Sequence, residues 1–233
     1  LHFSVVAASL QKKTYIAMKQ LVIFDLDGTL INSIKDLGAA TNFALEKNGF
    51  PTHPLEAYPM YVGNGVSKLI ERALPEDQRN EAMIKKIRAD FTTYYDIHNT
   101  DYTHPYDGIP ELLEHLQENG IKIAVASNKY DAAAKALVTT LFPSISFAAI
   151  EGQKEGVPVK PDPSVVFEIL GATQVKKADV LYVGDSGVDM ETARRACVDS
   201  VGVTWGFRSV DELRANYANH IVDTPEEIIP LLD

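Results

Sequence analysis

The chain has 233 residues, a hydrophobic content of 45% and a net charge of −10. That length suits one large domain, or one domain carrying an insertion, and the acidic balance excludes the basic face that non-specific nucleic-acid binding needs. Cys197 is the only cysteine, which excludes an intrachain disulfide and fits a reducing cytoplasm, and no apolar run approaches the ~20 residues of a membrane span.

Residues 1–17 place Lys12 and Lys13 after a short apolar segment, the reverse of a secretory signal. They read as an N-terminal extension, either preceding a natural start at Met18 or packing as a short surface segment. From Leu21 to Phe24 four apolar residues run without interruption, the pattern of a strand buried on both faces. Gly28 ends it, because glycine turns the chain cheaply. Asp25 therefore falls at the carboxyl end of the strand, where open α/β sheets place their ligands. Asp27 shares its period-two phase, and two such carboxylates repel each other unless a cation joins them or one keeps a proton. The pair predicts a hard, oxygen-ligated metal, Mg2+.

Asn32 and Ser33 offer N-caps for a helix to about Asn48, with Gly49 as its stop. Pro51, Pro54 and Pro59 punctuate a loop. Gly63 and Gly65 flank Asn64 ahead of a helix to about Leu74, and Glu76–His98 reads as a longer amphipathic helix burying Met83, Ile87, Phe91, Tyr94 and Tyr95. From Ile109 helices and strands alternate. A helix ended by Gly120 is followed by a strand over Ile121–Ala126, a helix over Asp131–Leu141 and a strand over Ser146–Ile150. A helix over Pro163–Leu170, opened by proline at its first turn, precedes a strand over Val180–Val183, a helix over Val188–Cys197 and a last strand over Ser200–Val203. Such alternation predicts an α/β, Rossmann-like parallel sheet covered on both faces. Residues 18–32 and 105–233 form this core, and 33–104 an inserted α-helical cap. Cys197, in the apolar stretch after Met190, is expected to pack in the core. The six histidines show no metal-ligand spacing.

Three of these strands end in polar residues: Phe24 runs into Asp25 and Asp27, Ala126 into Ser127 and Asn128, and Val183 into Gly184 and Asp185. In a doubly wound order these ends converge on one sheet edge. Lys160, between Val159 and Pro161, adds a cation from a fourth loop. Singly, each residue has an ordinary reading: Ser127 and Asn128 as a helix-start cap, Lys160 as a solvated loop lysine, Asp185 as an N-cap. Together DLDGT at Asp25, SN at Ser127, KPDP at Lys160 and GDSGVD ending at Asp189 resemble, in order, the four motifs of the haloacid dehalogenase superfamily. The helical insertion resembles that family's cap. Within the superfamily, VGNGVSKLIERAL at Val62–Leu74 and TWGFR at Thr204–Arg208 are similar to segments of phosphoglycolate phosphatases.

The resemblance implies a magnesium-dependent phosphatase hydrolysing a small phosphorylated metabolite, 2-phosphoglycolate by preference, through an aspartyl-phosphate. Asp25 would attack phosphorus, and Asp27 would protonate the leaving alkoxide and then take a proton from water. Asp25, Asp185 and the backbone carbonyl of Asp27 would hold magnesium. Ser127 and Asn128 would donate to phosphoryl oxygens, Lys160 would supply fixed positive charge and help keep Asp25 ionised, and Asp189 would support the metal shell or Lys160. Around Gly28 and Thr29, backbone N–H groups from Leu26 onward would cradle the phosphate. The Gly63-Asn64-Gly65 loop at a helix start suits a second anionic group on the substrate. Threonine at Thr29 favours a phosphatase over a sugar phosphomutase of the β-phosphoglucomutase type. Alternatives are that mutase, a pyrophosphatase, another sugar-phosphate phosphatase or, from another class, a phospho-aspartate signalling module, whose domain is too small to include a cap. The expected partners are a small metabolite, no nucleic acid and no membrane, with the chain a cytoplasmic monomer or homodimer.

Overall fold

Strand β1 (Leu21–Phe24) buries all four side chains, and strand geometry divides them between two faces. The computed structural model describes residues 19–233, so Met18 and the extension over 1–17 lie outside the described residues. In chain order β1 is followed by β2 (Ile31–Asn32), α1 (Ile34–Lys47), α2 (Tyr58–Tyr61), α3 (Val66–Ala73), α4 (Glu81–His98) and β3 (His104–Pro105). Next come α5 (Ile109–Glu118), β4 (Lys122–Tyr130), α6 (Asp131–Leu141), β5 (Phe147–Gln153) and α7 (Ser164–Thr173). The chain closes with β6 (Val180–Gly184), α8 (Gly187–Ala196), β7 (Asp199–Val203), α9 (Val210–Ala215), β8 (His220–Val222) and a 3-10 turn over Pro225–Leu232.

The six-stranded sheet has the order β5-β4-β1-β6-β7-β8, with every pairing parallel. Val22 and Phe24 face a cluster that includes Leu112, Leu116, Leu137 and Val201. Leu21 and Ile23 face another, with Val166, Ile169, Tyr182 and Ala193. Helices thus cover both faces, which is why β1 reads as an unbroken apolar run. Phe24 pairs with Val125 on one side and Val183 on the other. The residues that follow these three positions therefore emerge together at the carboxyl edge.

The helices α1 to α4 enclose a separate apolar cluster around Leu45, Tyr58, Ile70, Ile87, Phe91 and Tyr95. Its two connections to the sheet are β2 and β3, which pair antiparallel as Ile31 with Pro105 and Asn32 with His104. Among the described residues no helix is long and apolar enough to cross a membrane.

Several expectations are corrected. α4 begins at Glu81 rather than Glu76, because the Asn80 side chain accepts the Met83 N–H at 3.0 Å and caps the helix there. β4 runs on through Ser127 and Asn128 to Tyr130, with an irregular register against β5, so these two residues form strand and not a helix start. Ser33 makes no side-chain cap to α1. β7 is not the last strand, since β8 pairs with it through Val201 and His220. Cys197 is exposed rather than packed, because it ends α8 in the left-handed conformation, with φ of 58°.

Candidate active site

Asp25 leaves the end of β1 buried, its N–H donating to the Val183 carbonyl at 2.9 Å. Lys160 Nζ stands 2.8 Å from Asp25 Oδ1 and 2.7 Å from Asp189 Oδ1. Asp189 has no oxygen to spare, since its Oδ2 accepts both the Ser186 hydroxyl at 2.6 Å and the Ser186 N–H at 3.1 Å. This is a capping box opening α8, and it orients the carboxylate that orients Lys160. Asp185 Oδ2 accepts the Phe207 N–H at 2.7 Å. Gly28, at φ of 91°, lets the first turn pass beside Asp185, where a Cβ would stand 2.4 Å from that oxygen.

One oxygen each of Asp25, Asp185 and Asp189 lie within 4.8 Å of one another, all buried. Burial pushes Asp25 up to about 7; Lys160 works against that, and Asp189 and Asp27 add to it. Burial likewise holds Asp185 well above the carboxylate range, with Asp189 and Asp25 reinforcing it. For Lys160 burial acts downward, but Asp189 and Asp25 outweigh it and hold the ammonium well above its ordinary value. One fixed cation thus faces three carboxylates, and Lys160 only partly offsets the upward push of burial on Asp25. The missing charge is positive. Asp25 Oδ2, Asp185 Oδ1 and the Asp27 carbonyl accept no hydrogen bond from the described residues, so oxygen donors of the kind a hard divalent cation takes remain available.

The charge deficit has a measurable sign. A carboxylate whose pKa is raised on folding adds stability at low pH that is lost as pH rises through its folded value, here about 7 for Asp25. A cation that binds the ionised form removes this penalty. A divalent cation held there at about 100 times its dissociation constant would contribute about 2.7 kcal/mol, a rise in melting temperature of about 5–10 °C for a chain of this size. Thermal scans with EDTA or magnesium should show the full rise at pH 8 and a much smaller one at pH 5.5. Equal shifts at the two pH values would contradict a cation site among these carboxylates.

Asp27 enters the same cleft but is held differently. Ser33 Oγ donates to its Oδ1 at 2.5 Å, and Lys129 Nζ lies 3.0 Å from both carboxylate oxygens. The cleft is lined by Asp25, Asp27, Leu37, Gly63, Gly65, Val66, Ser127, Asn128 and Lys129, among others. Its free volume is small, about 40 Å³.

The remaining predicted residues divide. The Ser127 hydroxyl accepts the Lys129 N–H at 3.1 Å and keeps its proton for another acceptor. Asn128 is committed within the protein: its Oδ1 accepts the Lys160 N–H at 2.9 Å, and its Nδ2 donates to the carbonyls of Lys160 at 3.1 Å and Gly63 at 3.0 Å. It shapes the site and has no side-chain donor left for phosphate. Gly28, Thr29, Leu30 and Ile31 spend their N–H groups inside the first turn, which leaves those of Leu26 and Asp27 facing no acceptor among the described residues. Thr29 lies buried away from the cleft, its carbonyl accepting the Trp205 Nε1–H at 3.0 Å. Gly63 and Gly65 line the cleft, whereas Asn64 turns to Arg72, accepting from it at 2.7 Å.

Sequence reasoning missed Lys129 and Phe207. Lys129 directly follows the Ser127–Asn128 pair, but it reads as the start of a helix face unless β4 is carried past Ala126. Phe207 contributes only a backbone N–H, which no side-chain pattern announces.

Comparison with known proteins gives this geometry a family. The haloacid dehalogenase-like hydrolase profile matches residues 22–203. The chain belongs to the haloacid dehalogenase-like hydrolases. It is 31% identical over 214 residues to a phosphoglycolate phosphatase of Aquifex aeolicus, covering 92% of this chain and 97% of that one. A phosphoglycolate phosphatase of Neisseria meningitidis is 35% identical over 191 residues, covering 81% of each chain. A crystal structure described as a predicted phosphoglycolate phosphatase from Haemophilus somnus superposes with a TM-score of 0.84 at 26% identity, covering 92% of this chain and 98% of that one. In this hydrolase the family's four sequence motifs meet around Asp25, with Lys129 facing them from the end of β4.

Proposed function

We propose that this hydrolase is a magnesium-dependent phosphatase of small phosphomonoesters that carry a second negative charge, with 2-phosphoglycolate as its preferred substrate. Asp25 attacks phosphorus, the bond to the alkoxide oxygen breaks, and the phosphoryl group rests on the Asp25 carboxylate until water displaces it. Asp27 gives the departing alkoxide its proton and takes one back from the attacking water. Ser127 and the N–H groups of Leu26 and Asp27 bind phosphoryl oxygens, and Lys160 keeps a fixed charge beside Asp25. Asp25, Asp185 and the Asp27 carbonyl would hold magnesium, which offsets charge on the transferring group when bound. The helical unit acts as a lid on its two connections, and the small cleft beneath it favours compact substrates.

The observation that carries the substrate reading is Lys129. It is buried, paired with Asp27 at 3.0 Å and 4.8 Å from the Tyr95 ring centre, and it lines the same cleft as Asp25, Gly63, Gly65 and Val66. A carboxylate beside the phosphoryl group meets this ammonium and the amino-terminal end of α3. A hydrogen bond to a charged group is worth about 1.5–3 kcal/mol, or roughly 10–100-fold in specificity. The expected kcat/KM for 2-phosphoglycolate therefore exceeds that for ethyl phosphate by that margin, and Lys129→Met erases most of the difference. A wild-type preference for hexose phosphates, or an unchanged ratio in Lys129→Met, defeats the proposal.

A further inference from the structure

The segment after β7 touches three parts of the site. Trp205 bonds the first turn through Thr29, and the Phe207 N–H bonds Asp185. Gly206 sits so close that a Cβ there would stand 2.2 Å from the Asp185 Cβ. The Phe207 ring packs against the apolar cluster of the helical unit. Arg208 then reaches out of the core. One of its terminal nitrogens donates to the Val62 carbonyl at 3.0 Å, and the other lies 3.1 Å from the Met60 sulfur. Its Nε stands 3.9 Å from Glu212 Oε1, an oxygen that also accepts the Gly187 N–H at the start of α8 at 3.0 Å.

Its target, residues 61–64, is gripped from two sides. Arg72, in the helical unit, donates to the Tyr61 carbonyl at 2.8 Å and to Asn64 Oδ1 at 2.7 Å. The two inner carbonyls belong to the core: Arg208 takes Val62 and Asn128 takes Gly63. Four consecutive residues are therefore fixed, the outer pair from within the helical unit and the inner pair from across the cleft. Burial and the nearby Arg208 charge push the Arg72 guanidinium below its ordinary value while Glu71 works against both, and Arg208 has Glu212 beside it. Tyr61 and Val62 also pack into the apolar cluster of the helical unit, so side chains hold the segment to that unit and the Val62 and Gly63 carbonyls tie it to the core.

We propose that Arg208 is a positioning residue that sets the 61–64 loop over Asp25, so that the seating of Trp205–Phe207 on Asp185 and the placement of the lid loop are one event. The consequence for catalysis rests on reading the cleft as a phosphatase site; the consequence for the loop does not.

The test is amide hydrogen exchange of the peptide 60–67 in wild type, Arg208→Ala and Arg208→Lys, with magnesium alone and with magnesium plus orthovanadate, a mimic of phosphoryl transfer. With vanadate, Arg208→Ala should exchange about tenfold faster in that peptide, the loss of one charge-assisted hydrogen bond. β1 and the buried turns of α4 should stay at wild-type rates, and Arg208→Lys, which can still donate to Val62, should fall between. In parallel, the KM for 2-phosphoglycolate should rise about tenfold while p-nitrophenyl phosphate turnover changes by about twofold or less. Unchanged exchange in the 60–67 peptide overturns the proposal, as does acceleration spread evenly over the chain. Should Arg208→Ala not fold, Arg208→Gln against Arg208→Lys makes the same comparison. If wild type hydrolyses no small phosphomonoester, the phosphatase reading fails, and the exchange result still decides the role of Arg208.

Discussion

Asp25→Asn is expected to lower phosphatase turnover by about 10⁴-fold or more, the scale seen when a covalent nucleophile is removed, and to leave the fold intact. The amide is nearly isosteric but cannot attack phosphorus. It also removes one of the three carboxylates crowded around Lys160. Because burial already pushes Asp25 up to about 7, a neutral group at this position relieves a penalty at pH 8. The metal-free variant should therefore melt at or above the wild-type temperature while being inactive. Loss of activity together with a lowered melting temperature would point to damage rather than to a missing nucleophile. Turnover above a few per cent of wild type, in a sample checked by mass spectrometry for deamidation, would remove Asp25 from its role.

Much of this site is legible in the sequence because its parts sit at strand ends. Asp25 and Asp185 each follow a wholly buried apolar run, and in a parallel sheet those runs can end only at the same edge. The helical insertion is equally plain, since α4 repeats its buried positions at Ile87, Phe91 and Tyr95. What the sequence hides are choices between partners. Ser33 has the residue type of a helix cap, yet its hydroxyl goes to Asp27. Asn128 has the residue type of a phosphate donor, yet it ties Lys160 to the Gly63 carbonyl. Neither choice follows from local pattern, because both acceptors come from distant segments. β8 is hidden for another reason: three residues are too few to establish a period, and its place follows from an open edge on β7.

Lys160→Met tests the electrostatic half of the site. Lys160 is almost wholly buried between Asp25 and Asp189, so removing its charge leaves the buried Asp189 carboxylate without its cation. Breaking a buried pair in this way costs about 3–5 kcal/mol, and at pH 8 the metal-free variant should lose about that much stability. The deficit should shrink toward pH 5, because the raised carboxylates then take up protons. Magnesium should restore part of the stability, as a cation placed among the same oxygens. It should not restore turnover, since the fixed charge beside Asp25 contributes about 10²–10³-fold on its own. A double variant, Lys160→Met with Asp189→Asn, separates the two roles. Neutralising both members of the pair should recover much of the lost stability and none of the activity. If the single variant loses less than about 1 kcal/mol, as an exposed ion pair would, Lys160 does not carry the charge balance of the site. If the double variant regains turnover, then Lys160 serves only to neutralise Asp189, and the positive charge beside Asp25 has no part in the reaction.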